Sequence, residues 1–115
     1  MFGVVPKPLW EKTNPADANN RIEMCSRSLL IEDGNRLTLI DTGMGNKQSE
    51  KFFGYYDRWG TDTLEKSLAE KGFHKEDITD VFLTHLHFDH CGGAVEKDKN
   101  GVLVPAFKNA VYWSH

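Results

Sequence analysis

The chain has 115 residues, a formal net charge of −3 and 14 basic residues, which are scattered along the sequence. A hydrophobic fraction of 39% and a charged fraction of 27% are typical of a globular protein with one small core. The slightly acidic balance gives no electrostatic reason to expect nucleic acid, and no stretch approaches the about 20 apolar residues of a membrane span.

The cysteines and the first residues bear on the cellular location. Cys25 and Cys91 are too few for a disulfide framework and indicate reduced thiols. Residues 1–10 lack the basic start and apolar run of a signal peptide. We therefore expect a cytoplasmic protein. Cys91 adjoins His90, and we expect it to be a packed thiol rather than a ligand or a nucleophile.

The first third of the chain divides into an arm and a hairpin. Residues 1–20 contain three of the four prolines and predict an irregular arm that packs against the rest of the domain. Residues 21–115 are then expected to form the strand and helix core of a single domain. Within it, 22–31 and 36–40 predict two strands joined by a turn at 32–35, which makes an antiparallel hairpin.

The second strand of this hairpin leads to a glycine-rich loop. Alternation places Leu37, Leu39 and Asp41 on one face of the strand and Thr38 and Ile40 on the other. Asp41 follows at the strand end, before Thr-Gly-Met-Gly at 42–45. The local pattern alone makes Asp41 a turn residue.

Two helices are predicted next. Residues 47–57 carry an aromatic stripe, Phe52, Phe53 and Tyr56, which favours a role in the core over contact with a substrate.

Residues 62–71 form the clearest helix of the sequence. Asp62 and Glu65 have the spacing of a capping box, and an apolar stripe is formed by Leu64 and Leu68. Gly72 then predicts a Schellman turn at the helix end.

The next strand delivers the residues that carry chemistry. Residues 80–85 predict a strand parallel to the preceding one, since a helix lies between them, and this implies an α/β architecture. The strand runs into 84–93, which read Thr-His-Leu-His-Phe-Asp-His-Cys-Gly-Gly and hold three of the five histidines. Imidazole and carboxylate groups are ordinary ligands of zinc and other first-row metals.

The spacing of these groups predicts how they bind. In an extended chain, His85 and His87 project to the same side and can hold one ion. Asp89 and His90 can hold a second ion only if the chain turns there, and Gly92 next to Gly93 would allow that turn.

The last third of the chain predicts short elements: a turn of helix at 94–95, a charged surface turn at 97–101, and strands at 102–104 and 110–113 that return to the sheet. His74 and His115 are assigned no place in the site.

Two motifs together resemble a known family. The pattern H-x-H-x-D-H after an apolar strand, followed by Gly-Gly, resembles the metal-binding loop of the metallo-β-lactamase superfamily. Residues 37–43, Leu-Thr-Leu-Ile-Asp-Thr-Gly, resemble the family's strand that ends in Asp-Thr-Gly. The opening at 2–6, Phe-Gly-Val-Val-Pro, is similar to that of lactonase-type members.

The resemblance implies an α/β (α+β) fold, namely the N-terminal half of an αββα sandwich, with a mixed sheet and flanking helices. The remaining ligands of the family would lie beyond residue 115, so we expect a truncated domain; the alternative is a complete small protein. Half a sandwich would leave an apolar sheet face exposed, which predicts self-association or a homodimer, and weak or absent metal binding by this chain alone.

The resemblance also implies roles for the site residues. His85 and His87 would hold the first metal, and Asp89 and His90 the second. Asp89 would in addition be catalytic, close to the attacking water and able to pass a proton to the leaving group. Asp41 would hydrogen-bond a ligand histidine and orient it. The expected cofactor is Zn²⁺ in two sites, with iron or manganese as alternatives that such ligands do not exclude.

The implied activity is that of a metal-dependent hydrolase, in which a metal-bound hydroxide attacks the carbonyl of an ester, lactone, thioester or amide in a small molecule. Two alternatives stay open. One is an iron-dependent redox member of the same superfamily, and the other is a catalytically incomplete fragment that acts only as a binding module.

Overall fold

The computed structural model describes residues 2–114. Its helices and strands, in chain order, are α1 (Lys7–Trp10), β1 (Leu29–Asp33), β2 (Arg36–Ile40), α2 (Glu50–Gly54), α3 (Leu64–Glu70), β3 (Asp80–Leu83), α4 (Phe88–Cys91), β4 (Val95–Lys97), β5 (Leu103–Pro105) and β6 (Val111–Ser114). Two 3₁₀ turns occupy Lys75–Asp77 and Gly92–Ala94.

Four strands form one mixed sheet in the order β1-β2-β3-β6. β1 and β2 are the antiparallel hairpin that the sequence predicts, whereas β3 runs parallel to both β2 and β6. Helices α2 and α3 lie in the connection from β2 to β3, as a parallel crossover requires. The predicted mixed sheet with flanking helices is confirmed. β4 and β5 form a separate antiparallel pair.

The first strand is shorter than predicted. β1 begins at Leu29 instead of residue 22, and Leu29 pairs with Ile40, the last residue of β2. The chain then turns at Asp41, which has a φ of 57°. Because β2 ends there, residues 22–28 have no strand opposite them in this hairpin.

The N-terminal arm contains one helical turn, α1, where the sequence predicted irregular structure. Phe2 stacks on Trp10 with ring centroids 4.6 Å apart, so the arm packs on itself. Val4, Val5 and Leu9 are exposed, and the expected packing of these side chains onto the domain is not found.

Helix α3 begins one residue later than the predicted capping box. Thr63 is the N-cap, and its hydroxyl accepts a hydrogen bond from the Lys66 amide at 3.1 Å. Asp62 instead accepts a bond from the Lys66 ammonium. The predicted Schellman turn is confirmed, since Gly72 has a φ of 81° and the Phe73 amide donates to the Leu68 carbonyl.

One face of the main sheet is buried under α3 and the loops. This core contains apolar side chains from β2, α3, β3 and the segments that follow, namely Leu37, Leu39, Leu68, Ile78, Val81, Leu83, Ala94, Ala106 and Phe107. Leu37 and Leu39 thus share one face of β2, as predicted, and that face is the buried one; Leu68 of the predicted apolar stripe is also buried. Leu64 is partly buried against the same cluster.

The other face of the sheet, which we call the outer face, is open. The strand register places two cross-strand rows on it: Leu29, Ile40, Phe82 and Trp113 in one, and Ile31, Thr38, Asp80 and Val111 in the other. Phe82, on the central strand β3, is 42% exposed, and Trp113, on the edge strand β6, is 50% exposed.

Asp80 is the one buried charge on the outer face among residues 2–114. Arg36 donates two hydrogen bonds to its carboxylate, at 2.8 and 3.2 Å. The Trp113 indole and the Thr79 hydroxyl each donate one more at 2.8 Å. The Arg36, Trp113 and Thr79 bonds together lower the pKa of Asp80 to about 2, and they tie β2, β3 and β6 together at one point.

Within residues 2–114, no helix combines the length and the apolar character needed to cross a bilayer.

We predict that the contribution of Asp80 to stability depends on pH. Because its pKa is depressed from 3.8 to about 2 in the fold, the ionised carboxylate stabilises the folded state fully above pH 4 and loses this effect as the pH falls toward 2. Denaturant unfolding of the wild type and of Asp80→Asn should therefore show a difference that is largest near neutral pH and narrows below pH 4. A difference that stays constant over this range would contradict the assignment.

We also predict that the 115-residue chain self-associates through the outer face. Sedimentation velocity should show oligomers for the wild type and a shift toward monomer for Phe82→Lys, which places a charge in the apolar row. Val102→Lys is the matched control, because Val102 is 57% exposed but lies beside the β4–β5 pair. A monomeric wild type would refute the prediction.

Candidate metal centre

The predicted metal loop begins directly after β3. Residues 84–87 are irregular, and a single turn of helix, α4 (Phe88–Cys91), follows them. The amides of His90 and Cys91 both donate to the His87 carbonyl at 2.9 Å. This turn lies where Asp89 and His90 need it if they are to act together.

The four predicted ligands lie next to one another. The ring centroids of His85 and His87 are 4.8 Å apart, and those of His85 and His90 are 3.9 Å apart. Asp89 Oδ2 is 3.5 Å from His90 Nε2. His85 and His87 are exposed, whereas Asp89 and His90 are half-buried.

The grouping of these side chains is less simple than two separate pairs, because His85 lies closer to His90 than to His87. Within residues 2–114, no set of three or more His, Cys, Asp and Glu side chains is arranged to hold a metal ion. The donor chemistry, three imidazoles and a carboxylate, fits zinc. Which donors share an ion stays a prediction.

Asp41 is placed against the loop from the end of β2. Its Oδ2 is 2.7 Å from His90 Nδ1, and its Oδ1 accepts a bond from the Thr84 amide at 2.9 Å. The Thr84 hydroxyl donates to the same carboxylate. With Nδ1–H donating to Asp41, the lone pair of His90 is on Nε2, the nitrogen that faces Asp89. Sequence reasoning gave Thr84 no role, although it stands at the head of the motif.

The charge of Asp41 is maintained by these contacts. Its partial burial raises the pKa, but the hydrogen bonds from His90 and Thr84 outweigh this effect, and the pKa lies below its ordinary value. Asp41 is therefore an anion at neutral pH and a strong acceptor for the His90 N–H. The left-handed backbone at φ 57° turns the side chain away from the strand alternation and toward the loop.

The two glycine-containing loops touch through their backbones. The Thr42 amide donates to the His90 carbonyl at 2.7 Å, and the Gly93 amide donates to the Gly43 carbonyl at 2.9 Å. A Cβ added to Gly92 would lie 2.2 Å from the Met44 carbonyl oxygen. A Cβ added to Gly93 would lie 2.2 Å from the Thr42 carbonyl oxygen.

The reason for Gly92 and Gly93 therefore differs from the predicted one. Gly92 has an ordinary helical φ of −58°, and the turn in the loop is made by α4 before it. The glycines serve close approach of two chain segments, not conformational freedom.

The remaining residues that the sequence analysis weighed are Cys91, His74 and His115. Cys91 is half-buried and packs against the core, as expected for a packed thiol. His74 is exposed at the start of the first 3₁₀ turn. His115 lies outside the described residues.

Comparison with known families shows that residues 26–106 match the model of the metallo-beta-lactamase superfamily. This range contains both the Asp41 loop and the metal loop. A search of curated proteins gave no match.

Comparison with solved structures gives similar folds. A probable metal-dependent hydrolase from Staphylococcus aureus superposes with a TM-score of 0.84 at 37% identity, covering 97% of this chain and 39% of its own. AidC, a dizinc quorum-quenching lactonase, has a TM-score of 0.54 at 40% identity, covering 74% of this chain and 24% of its own. The hydrolase AbOPH, at 24% identity and a TM-score of 0.66, supports the fold alone. The chain thus spans well under half the length of these structures.

We predict that Gly92→Ala destabilises the protein by about 2 kcal/mol or more, because the added methyl group overlaps the Met44 carbonyl and forces the two loops apart. Gly54→Ala is the matched control, since nothing lies within 4 Å of its added Cβ at the end of α2. That control should be neutral or stabilising by up to about 1 kcal/mol. Equal unfolding midpoints for the two variants in urea would show that the loops do not need this close approach.

Proposed function

Because the chain belongs to the metallo-β-lactamase superfamily, we propose that it carries the metal-binding loop of a metal-dependent hydrolase. The observation behind this proposal is the set formed by Asp41, His85, His87, Asp89 and His90, in which the carboxylate of Asp41 holds one imidazole of the cluster. The 37% identity to a probable metal-dependent hydrolase supports the same activity.

In the proposed site, His85, His87, Asp89 and His90 are the metal ligands, and further ligands come from outside this cluster. Zinc in two sites is the proposed cofactor, and its support is the similarity to a dizinc lactonase together with the N/O donor set. A bound metal pair supplies Lewis acidity, which acidifies water and polarises a carbonyl oxygen.

The protein's own groups have three proposed tasks. Asp41 accepts the Nδ1 proton of His90 and fixes the ring, so that Nε2 is presented to the metal. Thr84 holds the Asp41 carboxylate in place through its amide and hydroxyl. Asp89 is half-buried beside His90, where it can be reached by water, and its proposed task is to take the proton of the attacking water and pass it to the leaving group.

The proposed substrate is a small molecule with an ester, lactone, thioester or amide carbonyl. A lactone is favoured among these because AidC is a quorum-quenching lactonase and is 40% identical over the part that matches. A cytoplasmic location, with no nucleic-acid or membrane partner, stays a prediction.

We expect His87→Ala, made in the full-length protein that carries this chain, to lower metal content and to reduce lactone hydrolysis by more than about 100-fold, since removal of a ligand costs more than loss of its supporting hydrogen bonds. His74→Ala is the matched control and should keep both properties, because His74 is exposed and outside the loop. Elemental analysis accompanies the rate measurement.

Three results would change the proposal. Retained hydrolysis in His87→Ala would remove this histidine from the site. Stoichiometric metal without any hydrolysis would favour the binding module. Bound iron with a visible absorption band, in place of zinc, would favour the redox alternative.

A further inference from the structure

An aromatic cluster joins α2 to the metal loop. The ring of Phe88, which stands between His87 and Asp89, meets the ring of Phe52 edge to face, with centroids 5.2 Å apart and an angle of 89°. It also lies 4.9 Å from the ring of Tyr56. Phe52 and Tyr56 are themselves 5.2 Å apart. The sequence had predicted the α2 aromatics as core residues.

The cluster is separate from the main core. The core residues come from the buried face of the sheet, α3 and the later loops, and they include neither the α2 aromatics nor Phe88. Tyr56 is 46% exposed. Of the three aromatics predicted as core residues, only Phe53 is buried; Phe52 is half-buried and Tyr56, which follows α2, is exposed, so the prediction is wrong for these two. The three rings, from Phe52 in α2, Tyr56 just after it and Phe88 in α4, therefore contribute to the contact between these two parts of the chain more than to the burial of the sheet.

The segment 47–58, which we call the α2 segment, is also tied to both glycine-containing loops. At its start, the Lys47 ammonium donates to the Gly92 carbonyl. At its end, the Arg58 guanidinium donates to the Gly45 carbonyl at 2.9 Å and lies over the Phe53 ring, 3.3 Å from its centroid. The two carbonyls that accept these bonds belong to the glycine-containing loops whose backbones contact each other.

Neither helix in this contact can be stable by itself. α2 has five residues and α4 has four, whereas isolated helices shorter than about 12–15 residues are marginal in water. Each must therefore take its order from tertiary contacts. For α4, such contacts are made by the side chain of Phe88, which lies between the predicted ligands His87 and Asp89 in the sequence.

We propose that the α2 segment is a positioning element for the metal loop. Phe52 and Tyr56 hold Phe88, and through it they fix the turn of helix that presents Asp89 and His90. The consequence for metal binding rests on the proposed function above, but the effect on the loop's conformation does not.

The test uses two adjacent tyrosines. Tyr56→Ala removes the ring that contacts Phe88. Tyr55→Ala is the matched control, because the Tyr55 ring is 68% exposed and has no aromatic neighbour within residues 2–114. Tyr56→Phe keeps the ring and is the rescue variant. Hydrogen exchange is measured on the metal-free, full-length protein at the amides of His90 and Cys91, which bond to the His87 carbonyl inside α4.

We expect exchange at these two amides to rise about 2–10-fold in Tyr56→Ala, as the loss of an aromatic pair predicts, and to be unchanged in Tyr55→Ala and Tyr56→Phe. The dissociation constant for Zn²⁺, from competition with a chromophoric chelator, should rise in Tyr56→Ala by up to about tenfold. Equal exchange in Tyr56→Ala and Tyr55→Ala would overturn the proposal.

The two proposals fail in different ways. If the wild type binds no metal, the proposed function fails, and the exchange comparison still decides whether the α2 segment holds the loop. If Tyr56→Ala raises exchange but leaves the zinc dissociation constant of a metal-binding wild type unchanged, the positioning of ligands is refuted.

Discussion

The structure depends on the close backbone contact between two loops, 41–45 and 90–93. Side chains are excluded from this contact, because a Cβ on Gly92 or Gly93 would overlap a carbonyl oxygen of the opposite loop. The hydrogen bonds from Thr42 to His90 and from Gly93 to Gly43 then hold the two loops in register. The contact joins the loop that begins with Asp41 to the loop that contains His90.

Parallel pairing explains why these loops meet. β2 and β3 run in the same direction, so both end at the same edge of the sheet, and Asp41 and Thr84 leave it side by side. Asp41 then reaches His90 because its left-handed backbone departs from the strand. The two faces of the sheet have different tasks: the inner face builds the core, and the outer face presents apolar rows around the buried Asp80.

Much of this could be predicted from the sequence. The hairpin, the Schellman turn at Gly72, the shared face of Leu37 and Leu39 and the parallel strand follow from local patterns, and they are found. One misplaced feature depends on a partner that the local pattern does not contain: the strand predicted from residue 22 is shortened because its neighbour ends at Ile40. The other is local, since Thr63 accepts the cap hydrogen bond from the Lys66 amide while the Asp62 carboxylate binds the Lys66 ammonium.

For the site, the sequence by itself determined the donor atoms: three imidazoles and a carboxylate within six residues, and an aspartate at the end of an earlier strand. Only the tertiary structure decided which of them meet. It placed Asp41 on His90, gave Thr84 a partner, and set the α2 aromatics against Phe88. These contacts join residues 30 or more positions apart, and their geometry is set by the sheet register and by the packing of two glycine-containing loops, which no local periodicity encodes.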